Sequence, residues 1–349
     1  MPEIPREAFL RTLEAVQPGL DPTGAIEQSS CFIFKDGAVM TFNDEVSCRM
    51  DLSLKDGDDV FLDIEGAVQA SSLLQLLKKL PDSTISVEVG EKKLKIRGDR
   101  RKAGISLEAE ILSQATQIEI PKDPDDWDTL PERFCDAISR VLKSAGKDES
   151  KFATTCVHIA PEFVEACDNF QAARWKMNTK FGESVLIRKG SMIAVGVKAM
   201  KYFATSDVWT HFKDDNGLVI SCRHYKEEFP KVERVLDVEG TESDLPDGIA
   251  KAAETAAIFS ADDPNSNNIT VTLRAKKMTI KGEGVHGYFS ETKLMKYEGN
   301  PLSFMIDPGM LKDISQSYDR CIIAKKRLRV DGEKGAFTYV TCLKENPDA

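Results

Sequence analysis

Ser71-Ser72-Leu73-Leu74-Gln75-Leu76-Leu77-Lys78-Lys79-Leu80-Pro81, followed by Ile85-Ser86-Val87-Glu88-Val89 and Leu94-Lys95-Ile96-Arg97, is the stretch on which the fold turns. Residues 67–80 read as a helix, and Pro81 stops it because proline cannot continue the helical hydrogen-bond ladder. The runs Thr84 to Val89, Lys93 to Arg97 and Gly104 to Glu108 read as short strands. The unit is therefore one helix followed by three strands.

Working outward, the same unit recurs on both sides. Pro5 to Val16 is a helix with Phe9, Leu10, Leu13 and Val16 on one face at i, i+1, i+4 and i+7. Strands follow between Ser30 and Leu54, with turns at Asp36-Gly37 and Asn43-Asp44. A third helix, Pro131 to Ala145, has Pro at its start and Gly146 just past its end. Its strands lie between Ala153 and Met177. A fourth helix, Gly196 to Ala204, precedes strands Val208 to Phe212 and Leu218 to Arg223. A fifth, Asp247 to Phe259, precedes Ile269 to Arg274, Lys277 to Lys281 and Gly287 to Leu294. A sixth, Pro308 to Ser317, precedes Cys321 to Lys325, Arg327 to Val330 and Ala336 to Leu343. Helix starts near 5, 67, 131, 196, 247 and 308 are spaced almost evenly, the signature of a repeated supersecondary unit. Proline- and aspartate-rich breaks at Ile120 to Trp127 and Asp237 to Gly248 group the six units into pairs. The expected architecture is α+β, in three similar domains of two helix-plus-sheet units each: 1–120, 121–240 and 241–349.

The composition narrows the function. The 349 residues carry 47 basic and 57 acidic groups, a net charge of −10, and 41% are hydrophobic. No run approaches the 18 apolar residues that a membrane helix needs. Met1 to Leu20 is broken by Glu3, Arg6, Glu7, Arg11 and Glu14, so no signal peptide is expected. Eight scattered cysteines without C-x-x-C fit free thiols in a reducing cytoplasm. Four dispersed histidines offer no metal site.

Gly282-Glu283-Gly284-Val285-His286-Gly287 matches a dinucleotide fingerprint, but a strand follows where that motif needs a helix; it reads as a hairpin turn. Asp123, Asp125, Asp126 and Asp128 lack calcium-loop spacing. No nucleophile, metal or cofactor constellation is present, so the expectation is a non-enzymatic scaffold or binding protein.

Charge follows secondary structure. The six predicted helical segments, the third extended to Lys147, sum to +5, which leaves −15 on the rest of the chain. If the helices share a face, duplex phosphates are attracted to it and repelled elsewhere, with no sequence preference. The cations in question are Arg6, Arg11, Lys78, Lys79, Arg133, Arg140, Lys143, Lys147, Lys198 and Lys201. Lysines near helix C-termini also complement the helix dipole, which is the structural reading of Lys78, Lys79 and Lys143. The densest basic run is Lys92-Lys93-Leu94-Lys95-Ile96-Arg97 with Arg100-Arg101-Lys102, placed on strands and their hairpin.

Cys222-Arg223-His224-Tyr225-Lys226-Glu227-Glu228-Phe229-Pro230-Lys231-Val232-Glu233-Arg234-Val235-Leu236, the Ser71–Arg97 stretch and the terminal strand Tyr339-Val340-Thr341-Cys342-Leu343 together resemble a bacterial-type DNA sliding clamp, the beta subunit of the replicative DNA polymerase, leaving a phage-encoded origin open. The resemblance spans nearly the whole chain as organisation. It implies a head-to-tail homodimer ring with helices lining the interior and sheets outside. It implies a processivity factor that encircles double-stranded DNA, tethers a DNA polymerase through short peptides, is placed by a clamp loader, and works in the cytoplasm of the bacterium or host. It also implies a partner-peptide cleft lined by Pro230, Val235, Val340 and Cys342, with Ala172 near its floor. Asp168-Asn169-Phe170-Gln171-Ala172 departs from the family's Asp-Gly, aromatic or His, Arg, Leu, and Cys342 replaces a usual Met. The alternative is a clamp-like structural or protein-interaction scaffold that does not encircle DNA.

Overall fold

The helix Ala70–Lys79 buries Ala70, Leu73, Leu74 and Leu77 on one face and ends with Lys78 and Lys79 beside its C-terminal carbonyls. In the computed structural model it is one of six helices of eight or more residues among the described residues. The structure describes residues 3–346 except 22, 56–58, 62–63, 91, 110–120, 261–266 and 275. Ile120, where the first expected break begins, lies outside the described residues. Residues 121–127 form neither helix nor strand.

Each helix stands in the same local order: a short leading strand, the helix, then three antiparallel strands. The first is Glu3–Pro5, α1 (Arg6–Ala15), then Cys31–Lys35, Ala38–Phe42 and Val46–Asp51. The second is Gly66–Gln69, α2 (Ala70–Lys79), then Thr84–Val89, Lys93–Arg97 and Lys102–Glu108. The third is Asp128–Thr129, α3 (Phe134–Val141), then Cys156–Ala160, Phe163–Cys167 and Gln171–Lys176. The fourth is Val185–Arg188, α4 (Lys189–Val197), then Tyr202–Thr205, Trp209–Lys213 and Val219–Tyr225. After the single-turn helix α5 (Glu233–Leu236) comes the fifth: Thr241–Asp244, α6 (Ile249–Ser260), then Ile269–Arg274, Lys277–Gly284 and Gly287–Leu294. The sixth is Leu302–Ile306, α7 (Pro308–Ser317), then Arg320–Ile323, Arg327–Gly332 and Phe337–Cys342.

The leading strands were not expected from the sequence, and they knit neighbouring repeats together. Glu3–Pro5 pairs with Thr84–Val89 of the second repeat, and Gly66–Gln69 pairs with Cys31–Lys35 of the first. Thr241–Asp244 pairs with Arg320–Ile323, and Leu302–Ile306 with Ile269–Arg274. The expected break at 237–248 therefore contains a strand. The fourth helix also differs: it runs Lys189–Val197, seven residues ahead of the predicted start, and Tyr202–Thr205 is a strand.

The chain divides into two compact units, Met1–Ser139 with Ser184–Glu227, and Arg140–Glu183 with Glu228–Ala349. All three cuts fall within residues 121–240. In the first unit Val46–Asp51 pairs with Val219–Tyr225, so the sheet continues from the first repeat into the fourth. In the second, Gln171–Lys176 pairs with Phe337–Cys342. The core of the second unit packs Ala252, Ala253 and Ala256 of α6 with Leu311 and Ile314 of α7 over Val271. Small residues on α6 let the helix approach the sheet. A Cβ added at Gly282 would stand 1.9 Å from the Ala256 carbonyl oxygen. The G-x-G-x-x-G motif is thus a hairpin whose Gly282 makes room for α6, and Gly287 adopts φ +143°.

Candidate functional site

In the second unit, register fixes which side chains share a sheet face. Ala172 pairs with Val340 and Arg174 with Thr338. Arg327 pairs with Cys342 and Arg329 with Val340. Glu165 pairs with Arg174 and His158 with Glu165. Directly paired residues point to one side. His158, Glu165, Ala172, Arg174, Val340 and Cys342 therefore belong to a single face, along with Arg327 and Arg329.

The segment around α5 is tied onto that face by arginines. Arg174 donates through Nε to Glu165 at 2.7 Å, and its Nη2 pairs with Glu233 of α5 at 2.8 Å. Arg327 donates to the Arg234 carbonyl at 2.9 Å and Arg329 to the Leu236 carbonyl at 3.4 Å. These two carbonyls are among those a one-turn helix leaves without an internal partner. Glu165 also meets His158 Nδ1 at 2.7 Å, and the His158 ring stacks on Phe229 with centroids 4.9 Å apart. The Arg174 guanidinium lies over Phe163 at 4.0 Å. Burial works against the charge on Arg174, but the hydrogen bonds and charges of Glu233 and Glu165 outweigh it and raise its pKa. The hydrogen bond from Arg174 holds the Glu233 carboxyl below its ordinary value.

The structure thus brings Ala172, Val235, Val340 and Cys342 to one part of the second unit, with Pro230 on the loop entering α5. Their exposure divides them. Pro230 and Cys342 are exposed and Val235 is half-buried, whereas Ala172 and Val340 are fully buried. The last two pack as core, and of the five only Pro230, Val235 and Cys342 reach solvent.

One further residue, absent from the sequence-predicted lining, stands beside them. Phe170 is 54% exposed, accepts a 2.7 Å hydrogen bond at its carbonyl from the Cys342 N–H, and has the Lys344 amine 5.9 Å from its ring centroid. The signal that could have found it is an aromatic at the tip of a hairpin, where the turn residue Asp168 accepts from the Phe170 and Gln171 amides.

The expected DNA-facing cations fall into three groups. Arg6 is structural: it donates to the Leu77 and Asp82 carbonyls at 2.9 Å each and pairs with Glu7, so its guanidinium caps the end of α2. A second group is paired with carboxylates. Lys78 meets Glu14 at 2.8 Å, Lys143 meets Asp313 at 2.9 Å, Arg133 meets Asp136 at 3.2 Å, and Lys201 meets Asp215. Arg140 meets Glu333 at 3.3 Å, the Tyr318 hydroxyl at 3.3 Å and the Phe337 ring at 5.8 Å. A third group, Arg11, Lys79, Lys147 and Lys198, has no ion pair among the described residues, and all but the half-buried Lys198 are exposed.

Lys198 caps the end of α4 and Lys201 lies beyond it, so neither is helical. Lys143 and Lys147 follow α3 in a 3-10 turn and a loop. The helices α1 to α7 carry nine basic and six acidic residues, a smaller excess than the sequence count, chiefly because α3 ends before Lys143 and Lys147 and the fourth helix lies elsewhere.

No family model matches the sequence, and no curated protein is similar to it. Solved structures are. A DnaN sliding clamp, the DNA polymerase III beta subunit, from Pseudomonas aeruginosa, crystallised with griselimycin, matches at TM-score 0.82 and 16% identity over 99% of both chains. The DNA polymerase III beta subunit of Thermotoga maritima matches at TM-score 0.81 and 13% identity over 99% of both. The DNA polymerase sliding clamp of Bacillus subtilis matches at TM-score 0.81 and 15% identity, covering 99% of this chain and 98% of that one. Six repeats of leading strand, helix and three strands, superimposable end to end on these proteins, give this chain the α+β fold of the DNA sliding clamps.

Proposed function

We propose that this chain is a DNA sliding clamp, a non-catalytic processivity factor that forms a ring around duplex DNA and tethers a DNA polymerase. The observation that carries the reading is the end-to-end match to clamp structures, at TM-scores near 0.8 with almost no residue of either chain left over. In this reading the six repeats form three similar domains, 1–120, 121–240 and 241–349. Two copies close head to tail, twelve helices line the pore, and the sheets lie outside. A heterologous contact that closes by rotation gives such a ring.

Two open strand edges support closure. Residues 102–106 pair only with Lys93–Arg97, and Gly287–Leu294 pairs only with Lys277–Gly284, among the described residues. An unpaired edge is a template for another chain, and joining these two extends both sheets through the seam.

Arg11, Lys79, Lys147 and Lys198 are the proposed first contacts to phosphate. Lys78, Arg133, Arg140, Lys143 and Lys201 exchange carboxylate partners for phosphate at lower gain, and Arg6 is left out. The contact is weak and sequence-independent, which permits sliding. Retention comes from topology, since escape requires a seam to open.

The face at Pro230, Val235, Cys342 and Phe170 receives a short peptide from the polymerase and from the clamp loader, through an apolar anchor. The protein acts in the cytoplasm. Light scattering tests the ring: a mass of about twice 38.7 kDa is expected, and a single-chain mass at micromolar concentration overturns it.

A further inference from the structure

Residues 92–102 carry seven basic side chains and one acidic, Asp99, in a chain whose net charge is −10. The strand registers put four of the seven on one face. Arg97 is directly opposite Lys102 and Lys95 opposite Gly104; on the other side Arg97 meets Ser86 and Lys95 meets Glu88. Lys93 pairs with Ser106. Leu94, Ile96, Ile85 and Val87 between them are buried, so the cationic face is the one turned to solvent.

Only part of this charge is neutralised. Glu88 takes Arg97 at 3.1 Å and Lys95 at 3.8 Å, and the buried carboxylate of Asp82 takes Arg101 at 3.3 Å. Lys92, Lys93, Arg100 and Lys102 are exposed and make no ion pair among the described residues. The hairpin between the strands is held in place. Asp82 accepts from the Asp99 amide at 3.1 Å, and Gly98 leaves the space that carboxylate fills, since a Cβ there would lie 2.4 Å from the Asp82 carboxyl carbon.

We infer that this sheet face is a second contact surface for the phosphate backbone of duplex DNA, separate from the helix cations. The chemistry selects the ligand. A protein partner is expected to bury an apolar or aromatic centre, and the face offers Thr84, Ser86, Gly104 and Ser106 between its charges. Single-stranded nucleic acid is held by stacking on aromatic rings, and this face has none. Lysine, arginine and hydroxyl groups are the groups that contact phosphate and sugar without reading sequence. An edge-to-edge seam at residues 102–106 uses in-plane backbone groups and leaves this face outward, so the surface serves with or without a ring.

The test uses a short duplex closed at both ends by hairpin loops. A closed ring cannot thread such a dumbbell unaided, so its fluorescence anisotropy reports outer surfaces. The full-length protein is compared with the quadruple variant K92A/K93A/R100A/K102A and with R11A/K79A. All substituted side chains are exposed, and circular dichroism verifies the fold. For the quadruple variant the affinity is expected to fall about tenfold or more, and the salt dependence to lose about 2 to 4 in log–log slope, the lower figure if only Lys93 and Lys102 meet phosphate. R11A/K79A, which alters proposed helix contacts, is expected to lose less dumbbell affinity than the quadruple variant. Equal dumbbell binding by parent and quadruple variant overturns the inference. So does poly-glutamate binding as tight as the dumbbell at the same salt, which would assign the face to acidic protein segments. Failure of the ring itself is read separately, by mass and by retention on circular DNA, and leaves the dumbbell result standing.

Discussion

The Arg174 guanidinium joins the strand Gln171–Lys176 to α5 through a 2.8 Å ion pair between Nη2 and Glu233, while its Nε and the same Nη2 hold the buried Glu165. The two carboxylates are not equivalent. Glu165 is buried beneath the sheet face, and Glu233 is largely exposed.

Arg174→Ala leaves Glu165 buried with only His158 beside it. Removing one partner of a buried pair costs about 3–5 kcal/mol, which a urea unfolding midpoint reads directly. Glu233→Gln removes only an exposed partner and is expected to cost less than about 1 kcal/mol. Equal effects from the two substitutions would contradict this division.

His211 sets a pH dependence. It is buried, with Nδ1 2.8 Å from the Ser221 hydroxyl. Burial pushes its pKa down to about 4, against the opposing pull of Asp123 and with a further push from the charge of His224. The unfolded chain takes up a proton near the ordinary value of about 6.5 that the folded chain refuses. Stability from this group is therefore present above about pH 6.5 and is lost as pH falls toward 4, by up to about 3 kcal/mol. His211→Gln should flatten the change in urea midpoint between pH 7 and pH 5; an unchanged slope would assign it to other groups.

All eight cysteines are free, and most are out of reach. Burial pushes the Cys48, Cys167 and Cys321 thiols up to about 12 and Cys222 well above the usual range. Thiol titration of the native protein should show one fast group, Cys342, a slower half-buried Cys135, and the rest only on unfolding. Cys342→Ser should remove the fast phase.

Gly282→Ala drives a methyl group into the α6 backbone at Ala256, a contact that no side-chain rotation relieves. A loss of about 3 kcal/mol is expected from overpacking. Gly37→Ala, with open space around it, meets only the backbone strain of φ +70° and should cost less.

Much of the fold was legible because local patterns and tertiary structure agree. The helix expected at Pro308 to Ser317 is found there, with Asp307 capping the Met310 amide and Pro308 at its first turn. Strands such as Thr84–Val89 and Ile269–Arg274 alternate buried and exposed positions as a half-buried strand must. The fourth helix failed because Gly190 and Gly196 blur its ends, while Tyr202–Thr205, rich in strand-forming side chains, pairs with Trp209–Lys213.

The leading strands were invisible for another reason. Asp128–Thr129 and Thr241–Asp244 carry almost no apolar signal and exist through pairing with distant strands. At the candidate sites, sequence position brought Val235, Cys342 and Pro230 into one region. It did not show that Ala172 and Val340 pack as core, nor that carboxylates meet six of the ten expected cations.

Retention on circular against linearised DNA tests the ring most directly. Labelled protein is assembled on nicked plasmid circles and separated from free protein by gel filtration in moderate salt, before and after a single restriction cut. The protein should travel with the circles and be lost when an end is opened. Equal retention on, or equal loss from, both forms would contradict encirclement.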